Sequence, residues 1–238
     1  MKIALLGYGK MGHAIEEIAV KKGHEIVLRI NDENLDALTK ENIKKADVAI
    51  EFTNPQSATE NILFCLNENV GVVCGTTGWL EKLKSVEEKC KELNGSFLYA
   101  SNFSVGVNIF FELNKKLASL LKAHPAYDVA LEEIHHTQKK DAPSGTAITL
   151  AEEIMQLSDK KNKWVNDETA NENELSIISK RINETPGTHS VKYTSAIDDI
   201  EITHTAHNRK GFAEGAVLAA EFIFNKKGIF SMKEVLGF

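Results

Sequence analysis

The sequence predicts an α/β chain, with a parallel sheet in its first hundred residues and a separate α+β domain with a mixed sheet after it. Three observations carry that reading. Short apolar runs alternate with helix-patterned segments from Lys2 to Ala100, the order that builds parallel strands joined by right-handed crossovers. A glycine-rich turn, Gly7-Tyr8-Gly9-Lys10-Met11-Gly12, directly follows the first apolar run. Beyond Ser104 the alternation stops, and three strand-like segments later come in succession: Leu175 to Ile182, His189 to Ala196 and Ile200 to Ala206.

Lys2 to Leu6 is the first strand. After the glycine turn, Ile15, Ile18 and Ala19 keep helical spacing until Gly23, and Ile26 to Ile30 is the second strand, ended by Asn31-Asp32. Strand, Gly-x-Gly-x-x-Gly, helix, strand and acid in that order match a dinucleotide-binding turn. Glycines let the backbone turn tightly and approach a pyrophosphate at the helix N-terminus, and Asp32 is placed to accept hydrogen bonds from a ribose diol. The bland alternative is a tight turn with a surface aspartate.

Asp47 to Glu51 is the third strand, leading into Phe52-Thr53-Asn54-Pro55 and a helix from about Pro55 to Asn69. Val70 to Cys74 is the fourth, leading into Gly75-Thr76-Thr77-Gly78 and a helix from about Leu80 to Leu93. Phe97 to Ala100 is the fifth, leading into Ser101-Asn102-Phe103-Ser104. Loops after parallel strands share one sheet edge, where ligands bind. Gly7, Tyr8, Gly9, Lys10, Met11, Gly12, Phe52, Gly75, Thr76, Thr77, Ala100, Ser101, Asn102 and Phe103 are therefore candidate cofactor residues, together with Asp32. An acid after the second strand favours a free 2′-hydroxyl, and no Lys or Arg lies between Asn31 and Thr39 to meet a 2′-phosphate. NADH is the expected cofactor. NADPH stays open, because Lys10 and Arg29 can approach from other directions.

In the second half, a helix is expected from about Ile109 to Lys122 and a strand from Tyr127 to Ile134, which delivers His135 and His136 to its end. Pro143 and Gly145 forbid a regular helix just beyond. Ala147, Leu150, Ala151, Ile154 and Leu157 then follow one helix face. The helix thus starts near Ser144-Gly145-Thr146, where unpaired N–H groups and the dipole favour an anion. With Lys139 and two imidazoles beside it, the stretch reads as an acid/base and carboxylate-binding loop. Taken alone it is also readable as a capped helix start with exposed histidines. Arg181, His189 and Arg209, with Lys139, are further cations available to a dianion. The polar tract from Ser158 to Glu174 is expected to be a long surface loop, and Phe212 to Phe224 a final apolar helix.

Composition bounds the rest. A formal charge of −6 over 238 residues argues against a nucleic-acid partner. The three cysteines, Cys65, Cys74 and Cys90, show neither a disulfide framework nor zinc spacing, so no metal is expected. The apolar run from Ile3 to Leu6 is too short for a signal peptide or membrane span, and a cytoplasmic location is the expectation.

The glycine turn, Glu51-Phe52-Thr53, Gly75-Thr76-Thr77-Gly78, Asn102 to Asn108, Glu133 to Ala147, Arg181, Gly187-x-His189 and Glu201 to His204 together resemble the 4-hydroxy-tetrahydrodipicolinate reductase (dihydrodipicolinate reductase) family. The His-His-x-x-Lys-x-Asp-Ala-Pro-Ser-Gly-Thr stretch is highly specific to it. The chain departs in a glycine turn one residue shorter than in many members, and in Glu51 where Asp is commoner. The resemblance implies a Rossmann domain, 1–103 with 211–238, and a substrate-binding and tetramerisation domain, 104–210. It implies NAD(P)H-dependent reduction of a small dicarboxylate in lysine and diaminopimelate biosynthesis, by a homotetramer. It gives His135 and Lys139 to proton transfer, and His136, Lys139, Gly145 and Thr146 to substrate contact. Two competing readings remain open from the residues themselves: another Rossmann oxidoreductase, or a non-catalytic NAD(H)-binding regulator.

Overall fold

The computed structural model describes residues 1–208 and 210–238, which fold as two compact units, Met1–Val105 with Lys210–Phe238, and Gly106–Arg209.

The first unit is a six-stranded sheet, every neighbouring pair parallel. Its strands are β1 (Lys2–Leu6), β2 (Glu25–Ile30), β3 (Val48–Glu51), β4 (Gly71–Cys74), β5 (Ser96–Tyr99) and β11 (Gly228–Phe230), in the order β11-β5-β4-β3-β1-β2. The central strands β3 and β4 are buried at every residue, as parallel strands covered on both faces must be. On one face lie α1 (Lys10–Lys21), α7 (Lys210–Ile223) and α8 (Met232–Leu236), packed over Ile3, Leu5, Val48, Ile50 and Val73. On the other lie α2 (Lys40–Ile43), α3 (Pro55–Asn67) and α4 (Leu83–Glu92), packed over Ala4, Leu6, Ala49, Val72 and Cys74. Alternate residues of each strand thus serve opposite cores. All three cysteines are free and buried.

The second unit is a five-stranded mixed sheet, ordered β10-β9-β6-β8-β7. Its strands are β6 (Asp128–His135), β7 (Lys163–Val165), β8 (Glu174–Arg181), β9 (Gly187–Thr194) and β10 (Asp199–Ala206). β6 runs parallel to β8 and antiparallel to β9, and β9 and β10 form an antiparallel pair. The helices α5 (Val105–Leu121) and α6 (Gly145–Leu157) form one core with the sheet through Phe110, Leu131, Leu150, Ile154, Ile177 and Val191.

Elements carried by clear periodicity fall within a few residues of their expected bounds. The tract from Ser158 to Glu174 does not behave as a simple surface loop. Lys163–Val165 adds a parallel edge strand to β8. Lys161 beside it keeps only 4% of its side chain exposed, with its ammonium on Asp128 (2.6 Å) and on the Glu174 carbonyl (2.8 Å). A three-residue strand is too short to leave a periodic trace in a polar sequence. β11 and α8 escaped for the same reason. Among the described residues, no helix is long and apolar enough to cross a membrane.

Candidate active site

Sheet order places the ends of β1, β3 and β4 side by side. The chain leaves β1 through Gly7, whose N–H donates to the Ile30 carbonyl at 3.0 Å, and enters α1 at Gly9. Gly7 has φ +95, and a Cβ there would lie 1.9 Å from the Phe52 carbonyl oxygen. A Cβ on Gly12 would lie 2.6 Å from the Gly7 oxygen, and one on Gly75 would lie 2.2 Å from the Phe52 ring. Three loops therefore meet at distances that exclude side chains.

Two cavities open over that meeting point. One, of about 420 Å³, is lined by Gly7, Gly9, Lys10, Met11, Phe52, Thr53, Gly75, Thr76 and Thr77. The other, of about 430 Å³, is lined by Gly7, Tyr8, Gly9, Asn31, Asp32, Phe52, Thr53 and Ser57, among others. A bare-backbone cradle at a helix N-terminus suits a pyrophosphate, and Asp32 beside it suits a ribose. Of the fourth loop, Ser101 is exposed, while Ala100 packs on the core and Phe103 is buried in it, its ring 5.6 Å from that of Phe52. Residues 100–103 line neither cavity.

Glu51 ties the loops from beneath. It is fully buried and accepts from the Thr53 N–H (3.1 Å), the Thr53 hydroxyl and the Cys74 thiol (3.0 Å). Burial, reinforced by the Glu51 charge, pushes the Cys74 thiol's pKa up, so it remains a donor. Thr53 N–H also donates to Thr76 Oγ1 at 2.8 Å, linking the loops after β3 and β4. At the rim, Arg29 is held by Glu16, which also accepts from the Tyr8 hydroxyl. The Arg29 hydrogen bond is the largest influence lowering the Glu16 pKa.

The second unit builds a different site at the end of β6. Val129, Leu131, Glu133 and His135 share its buried face. A carboxylate among core positions needs partners, and Glu133 has several. Its two oxygens each lie 3.1 Å from the Ser144 N–H, and Oε1 accepts from Arg181 Nη2 at 3.2 Å. His135 Nδ1 is 3.2 Å from Oε2 but not aligned to donate to it, and His189 Nε2 is 3.7 Å away. Burial pushes the Glu133 pKa up, but His135, Ser144 and Ser179 together hold it well below the usual carboxylate range. Burial, then the neighbouring His135, lowers His189 to about 3, so that ring is neutral. The atoms of Glu133, His135 and His189 lie within 4.8 Å of one another. The guanidinium and peptide N–H already on the carboxylate oppose a cation there.

Beyond His135 the loop turns through His136 and Lys139, passes the cis Ala142–Pro143 bond and reaches Ser144, the N-cap of α6, whose side chain accepts from the Ala147 N–H at 3.2 Å. Gly145 opens the helix and is exposed, and Thr146 is half-buried. Lys139 Nζ lies 2.8 and 2.7 Å from the two Asp141 oxygens. Thus His135, His136, Lys139, Gly145 and Thr146 belong to one structural feature. Arg181 departs from its expected place among cations around a dianion. Its Nε donates to the Lys139 carbonyl (3.3 Å) and its Nη2 to the Asp141 carbonyl, so it braces the loop from within. His189 is likewise buried, 3.1 Å from Ser144 Oγ. Arg209 lies outside the described residues. Glu133 is the buried carboxylate of this site that residue-by-residue reading passed over, although its alternation with Val129, Leu131 and His135 placed a charge on the core face.

A glycine cradle at the edge of a parallel sheet, with a separate unit carrying a His/Lys loop, defines a dinucleotide-dependent oxidoreductase of two functional parts. Residues 1–103 match the family model for the dihydrodipicolinate reductase N-terminus, and residues 106–236 match that for its C-terminus. The chain belongs to the dihydrodipicolinate reductase family. It is 52% identical over 238 residues to a 4-hydroxy-tetrahydrodipicolinate reductase of Christiangramia forsetii, covering 99% of this chain and 98% of the relative. A relative of the same name from Thermosipho africanus is 35% identical over 239 residues, covering 99% and 98%. Among solved structures, the dipicolinate-bound dihydrodipicolinate reductase from Paenisporosarcina sp. TG-14 superposes with a TM-score of 0.77 at 25% identity, covering 97% of each chain.

Proposed function

We propose that this chain reduces 4-hydroxy-tetrahydrodipicolinate to tetrahydrodipicolinate with NAD(P)H, in lysine and diaminopimelate biosynthesis. The observation that carries the reading is the loop from His135 to Thr146, which joins a proton-exchanging pair to a helix start, in a chain 52% identical to a reductase of that name. Residues 1–103 with 211–238 bind the nucleotide, and 104–210 bind the substrate. Gly7, Tyr8, Gly9, Lys10, Met11, Gly12, Asp32, Phe52, Gly75, Thr76, Thr77 and Ala100 to Phe103 form the cofactor side.

The 4-hydroxyl leaves as water, which makes the ring conjugated, and a bound nicotinamide would supply a hydride to it. One proton, delivered by His135 or Lys139, then balances the reaction to tetrahydrodipicolinate, NAD(P)+ and water. The ring carboxylates dock on His136, Lys139 and the N–H groups at Gly145 and Thr146, where the helix dipole favours an anion.

NADH is the preferred cofactor. Asp32 lines the cavity suited to a ribose, and Arg29, the nearer cation in sequence, is committed to Glu16. NADPH remains a substrate through Lys10. We place the enzyme in the cytoplasm, in keeping with three free cysteines. We also assign it a homotetrameric state, built through the second unit's sheet, whose β10 carries exposed alternate residues.

Supplying the substrate with a dihydrodipicolinate synthase and following NADH oxidation tests the whole reading. His135→Ala and Lys139→Ala are expected to lower turnover at least about 100-fold, with NADH affinity within about twofold of wild type. Wild-type turnover by either variant ends its catalytic assignment. Asp32→Ala is expected to weaken NADH and spare NADPH; equal losses for both sink the ribose assignment.

A further inference from the structure

We infer that Glu133 is the positioning residue of the reductase site: its buried carboxylate sets the His135 ring and, through Arg181 and Ser144, the backbone that presents Lys139 and the start of α6. The inference rests on the proposed reductase reading and adds a residue that no substrate can reach, because Glu133 is 0% exposed.

Glu133 stands two residues before His135 on the same strand face, so the β pleat itself brings the carboxylate beside the ring. Its register neighbours are His189 on β9 and Ser179 on β8, while Arg181 on β8 pairs with His135. The carboxylate's acceptor sites are taken by the Ser144 N–H and Arg181, with His135 Nδ1 at 3.2 Å. Arg181 extends the network outward, because its planar fork holds Glu133, the Lys139 carbonyl and the Asp141 carbonyl at once. Ser144 extends it the other way, donating its N–H to Glu133 while its hydroxyl caps α6. One buried charge therefore braces the loop at Lys139, Asp141 and Ser144, and lies 3.2 Å from the imidazole at the loop's start.

The same charge bears on proton transfer. The groups facing His135 are Glu133 on its own strand, Arg181 on β8 and His189 on β9. His189 is neutral at ordinary pH. Glu133 places a carboxylate oxygen 3.2 Å from His135 Nδ1, close enough to restrict the orientation of the ring.

The test uses Glu133→Gln in the full chain, which keeps the volume and removes the charge. The His135 ring resonances are read by NMR without substrate, kcat and KM with synthase-generated substrate, and NADH affinity separately. Expected are displaced His135 ring resonances, kcat reduced about 10- to 100-fold, KM within about threefold, and unchanged NADH affinity. Glu133→Asp, which retains the charge, is expected to recover most of kcat. Unmoved ring resonances or wild-type kcat overturn the inference, as does a loss confined to KM. Should Glu133→Gln fail to fold, Arg181→Lys decides. It removes the fork to the loop carbonyls but keeps a cation beside Glu133, so kcat should fall; wild-type kcat overturns the bracing role. If the wild type fails to oxidise NADH with this substrate, the reductase reading falls, while the His135 resonances of Glu133→Gln still decide whether Glu133 governs the ring.

Discussion

Lys139 is held by its own loop. Its ammonium pairs with both oxygens of Asp141, whose side chain is 60% exposed. Burial pushes the Asp141 pKa up, but Lys139 outweighs it and holds the carboxyl below its usual value. A substrate carboxylate must compete with Asp141 for the same charge. Asp141→Asn weakens that competitor, and initial-rate kinetics should show KM for the dicarboxylate falling about two- to fivefold, the scale of one exposed ion pair. His189 offers a second check at this scale. Its ring titrates near 6.5 in an unfolded chain and near 3 when folded. Between those values the unfolded chain binds a proton that the folded chain refuses, so stability falls as pH falls. The loss from pH 7 to pH 5 is about 2 kcal/mol. Urea unfolding at both pH values should show it in the wild type and not in His189→Gln. The glycines, Asp32, the two histidines and Lys139 were legible because each is an unusual residue in a local pattern. The bracing role of Arg181 was not, because it depends on which carbonyls lie across the sheet.

At the scale of elements, the glycine turn shows that one motif holds two kinds of glycine. Gly7 is required by the fold, with φ +95 and no room for a Cβ. Gly9 has φ −97 and nothing within 4 Å of a Cβ. Gly7→Ala should destabilise the chain by about 2–5 kcal/mol, the sum of a left-handed conformation and a forced main-chain contact. Gly9→Ala should leave urea stability within about 0.5 kcal/mol yet weaken NADH binding in a fluorescence titration, because its open face is the one proposed to meet the pyrophosphate. Unaltered NADH affinity in Gly9→Ala would remove that glycine from the cofactor cradle. The longer helices and strands were readable from period alone. β7, β11 and α8 were not, because three to five residues make barely one turn or one and a half pleats, and their stability comes from neighbours remote in sequence.

For the whole molecule, the cavities over the glycine turn lie in one unit and the His/Lys loop in the other, and the proposed function gives the nucleotide to the first and the substrate to the second. On that proposal, saturation with NADH at about 100 times its Kd should stabilise the first unit by about 2.7 kcal/mol. Hydrogen exchange should report this as slowed amides within 1–105 and 210–238. Equal protection confined to 106–208 would reverse the division of labour. The change from βα alternation to successive strands revealed two architectures in the sequence, whereas the family resemblance, not periodicity, supplied the return of the final helix to the first.

That return has a consequence for how the protein is made. Ala213, Ala216, Val217, Ala220 and Ile223 of α7 cover the face of the sheet formed by Ile3, Leu5, Val48, Ile50 and Val73. A ribosome delivers residues 1–105 long before it delivers α7, and the whole 106–209 unit emerges in between. Throughout that interval the nascent sheet has α1 but not α7 on this aliphatic face, and by its end the later-synthesised unit possesses all its own strands. The second unit is therefore positioned to mature first, and the oldest part of the nascent chain is the last to be sealed against aggregation.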